Sequence, residues 1–228
     1  MSSVVLDAMK YSVSNGGKRI RPVLAVEFAK LCDGDIDTAI NFGCAVEMIH
    51  TYSLIHDDLP CMDDDDMRRG NPSCHIKFGE DTALLAGDTL LTESFGVALK
   101  SKAKDEYKLK ALDVLRERAG LHGMIGGHVM DLRFEKEKPD SELLKTMYLM
   151  KTGALLSAAA EIGCILSGKD EDTITIAKGY AESVGLAFQI IDDILDVTGD
   201  EAVLGKPVGS DSENNKTTFV TLYGLDKA

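Results

Sequence analysis

The sequence lacks the features that would place it in a membrane, outside the cell or on nucleic acid. It has no run of some twenty apolar residues, and its start, MSSVVLDAMKYS, lacks the charged-then-apolar layout of a signal peptide. The expectation is a soluble, cytoplasmic protein without stable membrane insertion. Cysteine is sparse and unpatterned: Cys32, Cys44, Cys61, Cys74 and Cys164 include no C-x-x-C pair, and five thiols fit no complete disulfide framework. Reduced thiols follow, most of them small core residues. Basic charge is in deficit, with 25 Lys and Arg against 38 Asp and Glu and a net charge of -13. That balance argues against nucleic acid or an anionic surface as a partner and toward cations. Sustained period-two alternation of β-branched residues, internal repeats and low-complexity segments are also missing.

What the chain does have is apolar residues at helical spacing nearly throughout, which predicts an all-α fold. With 228 residues, 44% of them hydrophobic, it can bury a full core, and no linker divides it, so residues 1–228 read as one domain. Breaks are expected at Asn15-Gly16-Gly17, Cys32-Asp33-Gly34-Asp35, Gly70-Asn71-Pro72, Lys138-Pro139-Asp140, Ser167-Gly168-Lys169-Asp170 and Gly199 to Asp211. Helices of about ten to twenty-five residues should lie between them. Pro22 suits a first helical turn, and Asp37, Asp81 and Asp140 or Ser141 can each cap a helix start.

Chemistry enters at two aspartate clusters, DDLPCMDDDD and DDILD. Asp57 and Asp58 end a helix running from about Asp37, and Pro60 turns the chain toward Asp63 to Asp66. An acidic run alone usually marks a solvated turn. Here the preceding AVEMIHTYSLIHDD is mostly apolar or small, so the helix should be buried and carry its carboxylates into a cavity, where they need compensation. His50, Ser53 and Asp57, spaced i, i+3, i+7, form a polar stripe on one face. In FQIIDDILDVTGD, Asp192 and Asp196 share a face, and Gln189 lies one turn before Asp192 and Asp193. Carboxylates suit magnesium, which binds through one or two of them plus waters and substrate phosphates, so two facing clusters can grip a diphosphate through metal ions.

Cations stand close by in SNGGKRIRP, at Arg68-Arg69, at Lys151-Thr152, and at Lys206 and Lys216. Gly16 and Gly17 allow close backbone approach to an anion, and Lys18, Arg19 and Arg21 offer donors to phosphate oxygens. The alternative for the glycines is an ordinary helix-entry turn. Lys151, inside an apolar helical stretch, needs an anionic partner unless it snorkels to solvent. Lys206 and Lys216 fall in a loop that either closes over the site or is plain surface.

In order, GGKRIRP, IHTYSLIHDDLPCMDDDDMRRG, GGHVMDL, KTGAL, FQIIDDILDVTGD and GKPVGSD…NNKTT, the chain resembles the trans-prenyl (polyprenyl) diphosphate synthases, particularly bacterial farnesyl diphosphate synthases. The likeness spans nearly the whole chain, and the ordered set is far more specific than any one motif. It implies an isoprenoid synthase-type bundle of about ten antiparallel helices around a deep central cavity, usually homodimeric. It implies Asp57, Asp63 and Asp192 as ligands of three magnesium ions bound with diphosphate, with Asp57 and Asp58 among the catalytic groups. It places Arg68 on the allylic diphosphate, and Lys18, Arg21, His50 and Arg69 beside Gly17 on isopentenyl diphosphate. Lys151, Thr152, Gln189 and Lys206 would flank the reacting allyl group, the Thr152 carbonyl and helix dipoles stabilising its cation, with Lys216 nearby. Released diphosphate would take the final proton, so no protein nucleophile or catalytic pair is required. Tyr52 and Ser53, five and four residues before Asp57, would form the cavity floor, and an inward tyrosine there blocks growth past about fifteen carbons.

The chain departs from the resemblance in two ways. His128 replaces a glutamine in GGHVMDL, near Asp131, and either keeps the hydrogen bonding, introduces pH dependence or is a satisfied core histidine. The chain also reads as shortened at both ends relative to the family. Competing readings are a geranylgeranyl diphosphate synthase, a non-catalytic partner subunit of the same fold, and a terpene cyclase, which has less use for GGKRIRP and His50. A di-iron carboxylate bundle needs two E-x-x-H motifs, and Glu47-Met48-Ile49-His50 supplies one.

Overall fold

A computed structural model describes residues 3–199 and 216–228 and is helical almost throughout. The elements are α1 (Ser3–Ser14), α2 (Ile20–Leu31), α3 (Ile36–Asp57), a hairpin of β1 (Met67–Arg68) and β2 (Asn71–Pro72), α4 (Cys74–Phe78), α5 (Glu80–Leu99) and α6 (Asp105–Ala119). Then come α7 (Met124–Phe134), α8 (Ser141–Tyr148), a π-helical turn (Leu149–Gly153), α9 (Ala154–Leu166), α10 (Glu171–Thr198) and α11 (Phe219–Tyr223). The all-α expectation holds. The α-helices run from 5 to 28 residues, a wider range than expected, because α4 and α11 are single-turn pieces and α10 continues through the second aspartate cluster. Breaks between α5 and α6 and between α6 and α7 were not among those expected.

Two expected caps are displaced. Asp35, not Asp37, caps α3, its carboxylate accepting from the Asp37 and Thr38 amides, and Asp37 lies in the first turn. At α5 the cap position is Gly79, and the Asp81 carboxylate accepts only from the adjacent Thr82. Asp140 caps α8 as expected, and Asp170 does the same for α10. In each acting cap the carboxylate satisfies orphan amides at the helix start, which a residue one turn further in cannot reach.

The core is built on α3 and α9. Every residue from Ala154 to Ile165 is buried, Glu161 in an ion pair with Arg118 of α6 at 3.0 Å, so α9 is enclosed on all sides by α2, α3, α6 and α10. Within Ser141–Leu166 an 18-residue window is apolar enough to cross a membrane by composition, with a mean hydropathy of 1.4, but 72% of that window is buried inside the protein. That burial marks it as core. α3 is enclosed by α2, α5 and α9, with Phe42, Val46 and Ile49 fully buried. A smaller core gathers Leu144, Met147 and Tyr148 of α8 with Met130 and Phe134 of α7, Leu186 of α10 and Phe219 of α11.

The α2–α9 contact is close enough to need glycine. A Cβ added at Gly163 would stand 2.6 Å from the Ala25 carbonyl oxygen and 2.9 Å from the Ala29 nitrogen, both backbone atoms. At exposed Gly179 on α10 an added Cβ meets no described atom within 4 Å. The same substitution should therefore act with opposite sign at the two sites. Gly179→Ala should stabilise by about 0.5–1 kcal/mol through helix propensity. Gly163→Ala should cost about 1–3 kcal/mol through overpacking. Thermal unfolding of the two variants measures both.

Candidate functional site

The first cluster lies where α3 runs out. Asp57 and Asp58 are 7% and 2% exposed at the C-terminal end of a helix whose own dipole disfavours negative charge. Both are compensated by cationic or polar side chains. Asp58 receives the Arg68 guanidinium, with Nε at 2.9 Å, and Arg68 also reaches Asp65 at 3.2 Å. Asp57 Oδ1 lies 3.0 Å from His128 Nδ1 on α7. Burial pushes the Asp57 carboxyl up, but the His128 hydrogen bond and the charges of Lys151, His128 and Arg68 outweigh it and hold the pKa below its ordinary value. Asp58 goes the other way, raised by burial against the pull of Arg68. The arginine expected on a diphosphate is thus anchored by the second aspartate of the motif.

Lys151 does not snorkel. Its Nζ lies 2.5 Å from Asp131 Oδ2, and Asp131, Asp57 and Asp63 together overcome the burial that would lower its pKa, so it stays charged. Asp63 is open to solvent, yet desolvation is the main push raising its pKa, with Lys151 and Lys216 opposing and Asp57 and Asp131 reinforcing. Asp57, Asp63, Asp131, His128, Lys151 and Lys216 therefore form one electrostatic group. Among the described residues no three His, Cys, Asp or Glu side chains make a ready metal cage.

The backbone around Lys151 is a π-helical turn, which sequence periodicity does not reveal. A Cβ at Gly127 would fall 2.2 Å from the Lys151 nitrogen, so α7 passes directly against the widened turn. Within it Thr152 Oγ1 donates to Gln189 Oε1 at 2.6 Å, joining two expected site residues between the turn and α10.

One turn and more back along α3, a second group has the opposite charge. His50 is held well below its ordinary pKa, first by burial and then by Arg21, Arg69, Arg68 and Arg19, so it is neutral at pH 7. Arg21 is lowered to about 10, burial being the main cause, and its Nε is buried with no hydrogen-bond partner. Such a group costs free energy until an acceptor arrives. Arg19 is committed to Glu47 and the Val13 carbonyl, so it braces α1 against α3 rather than offering its guanidinium outward as expected.

The glycine pair also does something other than expected. The Arg69 guanidinium lies over Gly17, where a Cβ would be 2.5 Å from Nη1, and Nη1 donates to the Gly16 carbonyl at 2.6 Å. The close approach at Gly17 is therefore made by an arginine. Arg69 and Gly70, the two residues between β1 and β2, have φ of 55° and 76°, the pattern of a type I′ hairpin turn. Lys18 is exposed, its Nζ 5.5 Å from the Phe188 ring centroid, which joins this loop to the FQIIDD segment of α10.

Tyr52 is buried, stacked edge-on to His56 at 5.6 Å, and its hydroxyl is pushed up to about 12 by burial and by Asp57. Ser53 Oγ donates to the His50 carbonyl of its own helix at 2.9 Å. In the second cluster Asp192 is half-buried, while Asp193 and Asp196 are 5% and 2% exposed. Asp193, which the sequence did not single out, accepts from the Tyr148 hydroxyl at 2.9 Å and from the Phe219 amide at 2.8 Å. Lys206 lies outside the described residues.

Comparison with known proteins matches residues 2–228 to the polyprenyl synthetase family. The chain is 46% identical to a putative geranylgeranyl pyrophosphate synthase 8 of Arabidopsis thaliana, covering 98% of this chain and 64% of the relative. It is 45% identical to farnesyl diphosphate synthase of Bacillus subtilis, covering 97% of this chain and 76% of the relative. The chain thus spans about two thirds of the length of the plant relative and three quarters of the bacterial one. Among solved structures, a geranyltransferase from Helicobacter pylori, complexed with magnesium and isoprenyl diphosphate, superposes with a TM-score of 0.89 at 36% identity. That match covers 98% of this chain and 75% of the other. An apo FPP/GFPP synthase from Zymomonas mobilis gives 0.88 at 37%, covering 99% and 77%. With the family model matching residues 2–228 and relatives named for two product lengths at 45% and 46% identity, the chain belongs to the polyprenyl synthetase family.

Proposed function

We propose that the protein is a magnesium-dependent prenyltransferase that condenses isopentenyl diphosphate with dimethylallyl or geranyl diphosphate to give farnesyl diphosphate. The observation that carries this reading is the separation of charge along α3. The arginine group with its orphaned Arg21 Nε stands by His50, and the carboxylate and lysine group begins at Asp57, seven residues and about 10 Å further along the axis. Two anionic substrates that must meet head to tail need two such subsites at about this spacing.

Arg21, Arg69, Lys18 and neutral His50 would bind the isopentenyl diphosphate headgroup, with the Gly16–Gly17 backbone held by Arg69. Arg68, fixed by Asp58, and Lys151 would face the allylic diphosphate. Magnesium, carried by Asp57, Asp63 and Asp192, would stabilise charge on the departing diphosphate. A hard cation that keeps waters and substrate phosphates needs no ready protein cage. Cleavage of the allylic C–O bond leaves a carbocation, which the isopentenyl double bond attacks, and loss of a proton to the released diphosphate completes the product. The Thr152 carbonyl, in the π-helical turn, and Gln189, bonded to Thr152, would line that cation. We assign a homodimer in the cytoplasm, exposed apolar residues such as Leu84, Leu85, Ile125 and Val129 supplying surface for the second copy.

The farnesyl assignment rests on Tyr52, since relatives of both product lengths are similarly close. Its ring is buried between His56 and the approach to Asp57.

Incubation with magnesium, isopentenyl diphosphate and dimethylallyl diphosphate should yield mainly farnesyl diphosphate, and chelation should abolish turnover until magnesium is restored. Failure to form any prenyl product would favour a non-catalytic partner subunit. Tyr52→Ala should lengthen the product beyond about fifteen carbons, because it removes an aromatic volume from the proposed floor. Unchanged chain length by product chromatography would refute that role. Arg21→Met should raise KM for isopentenyl diphosphate by about 10- to 100-fold, the worth of a charged hydrogen bond. The melting temperature should hold or rise, because an uncompensated buried charge has been removed.

A further inference from the structure

We propose that Asp193, the second aspartate of DDILD, is a positioning residue that pins the segment 217–223 to α8 and α10 and so fixes where Lys216, next to that segment, can lie. Consecutive residues of a helix point about 100° apart, so Asp192 and Asp193 cannot both face the carboxylates of α3. Asp193 turns inward. It is 5% exposed, and both its oxygens lie 2.9 Å from the hydroxyl of Tyr148, itself 6% exposed. Oδ2 also accepts the Phe219 amide at 2.8 Å. A buried carboxylate with donors on both oxygens is already compensated, and recruiting it to a metal would strand the tyrosine hydroxyl and the amide.

The surroundings match a tether. The Phe219 ring packs on Tyr148 with centroids 5.7 Å apart, and on Tyr223 at 5.8 Å. Thr218 is buried and closes a capping box with Thr221, fixing where α11 begins. Met130 and Phe134, which flank Asp131 on α7, join the same small core. One cluster therefore sets the positions of Asp131, of the π-helical turn that follows Tyr148, and of residues 216–219. Lys216 stands three residues before the pinned amide, within about 10 Å of chain, so the tether limits where it can lie.

The catalytic part of this inference rests on the prenyltransferase reading; the tether itself does not. Trypsin cuts after Lys216, so limited proteolysis without substrate reads the tether alone. Asp193→Asn should speed that cleavage about tenfold by promoting local opening, while the global melt moves little. Tyr148→Phe, which removes one donor and keeps the ring, should give a smaller effect in the same direction. With substrates, Asp193→Asn and Lys216→Gln should be non-additive, the double variant being no worse than Lys216→Gln alone, since one acts through the other. The magnesium concentration for half-maximal turnover should stay near wild type. Unchanged proteolysis in both single variants, additive losses, or a rise of about tenfold in the magnesium requirement for Asp193→Asn would overturn the proposal, the last by making Asp193 a ligand. An inactive wild-type protein with accelerated cleavage in the variants would instead remove the prenyltransferase reading and support the tether.

Discussion

Everything at the site follows from two carboxylates buried at the wrong end of a helix. Asp57 and Asp58 close α3 at its C-terminus, where the helix dipole and the loss of water both work against negative charge. Neither force is small, so the structure has to supply positive charge from elsewhere. Arg68 from the hairpin and Lys151 from the π-helical turn bring that charge, and His128 from α7 adds a hydrogen bond. Each donor needs its own support. Asp65 braces Arg68, Asp131 braces Lys151, and Gly127 lets α7 approach close enough for His128 and Lys151 to serve the same carboxylate. The site is thus a consequence of compensating α3 rather than a separate decoration on the bundle.

Strain collects in the same place. Among the described non-glycine residues, four have positive φ, and three of them, Arg19, Asp64 and Arg69, sit in the charged segments. A left-handed conformation at a long side chain persists only where other contacts hold it. Arg19 is held by Glu47 and Val13, and Arg69 by the Gly16 carbonyl. These anchors leave Arg21, with ordinary helical backbone inside α2, as the arginine with an unmet donor. The strained neighbours are held by contacts of their own, and the unstrained one keeps a buried donor without a partner.

Much of this could be read from the sequence, for a physical reason. Helical periodicity and charged residues in apolar surroundings are local signals, and they led to the helix α3, to a buried carboxylate at Asp57 and to a paired Lys151. Cap positions slipped where a competing aspartate stood two residues away, as at Asp35 and Asp37, because either can satisfy the pattern and only backbone geometry chooses. The π-helical turn escaped because an extra residue in one helical turn leaves the residue types unchanged. Asp193 escaped because its partners, Tyr148 and the Phe219 amide, lie 45 and 26 residues away, and no spacing rule joins them. His128 was legible as a departure, and its contact with Asp57 places it among the compensating groups rather than in the core.

The same compensation reaches the far side of α3. Tyr52 lies about one and a half turns before Asp57 and carries its influence in a hydroxyl pushed up to about 12, with Asp57 second to burial among the causes. Its ring leans on His56, whose Nε2 pairs with the Leu84 carbonyl of α5 at 3.0 Å. His56 in turn fills the space over Gly87, where an added Cβ would lie 2.1 Å from Nε2. A side chain at residue 87 cannot fit without moving His56, and His56 cannot move without freeing Tyr52. Tyr52 is therefore held from α5 as well as from its own helix, and its packing depends on the absence of a side chain at residue 87.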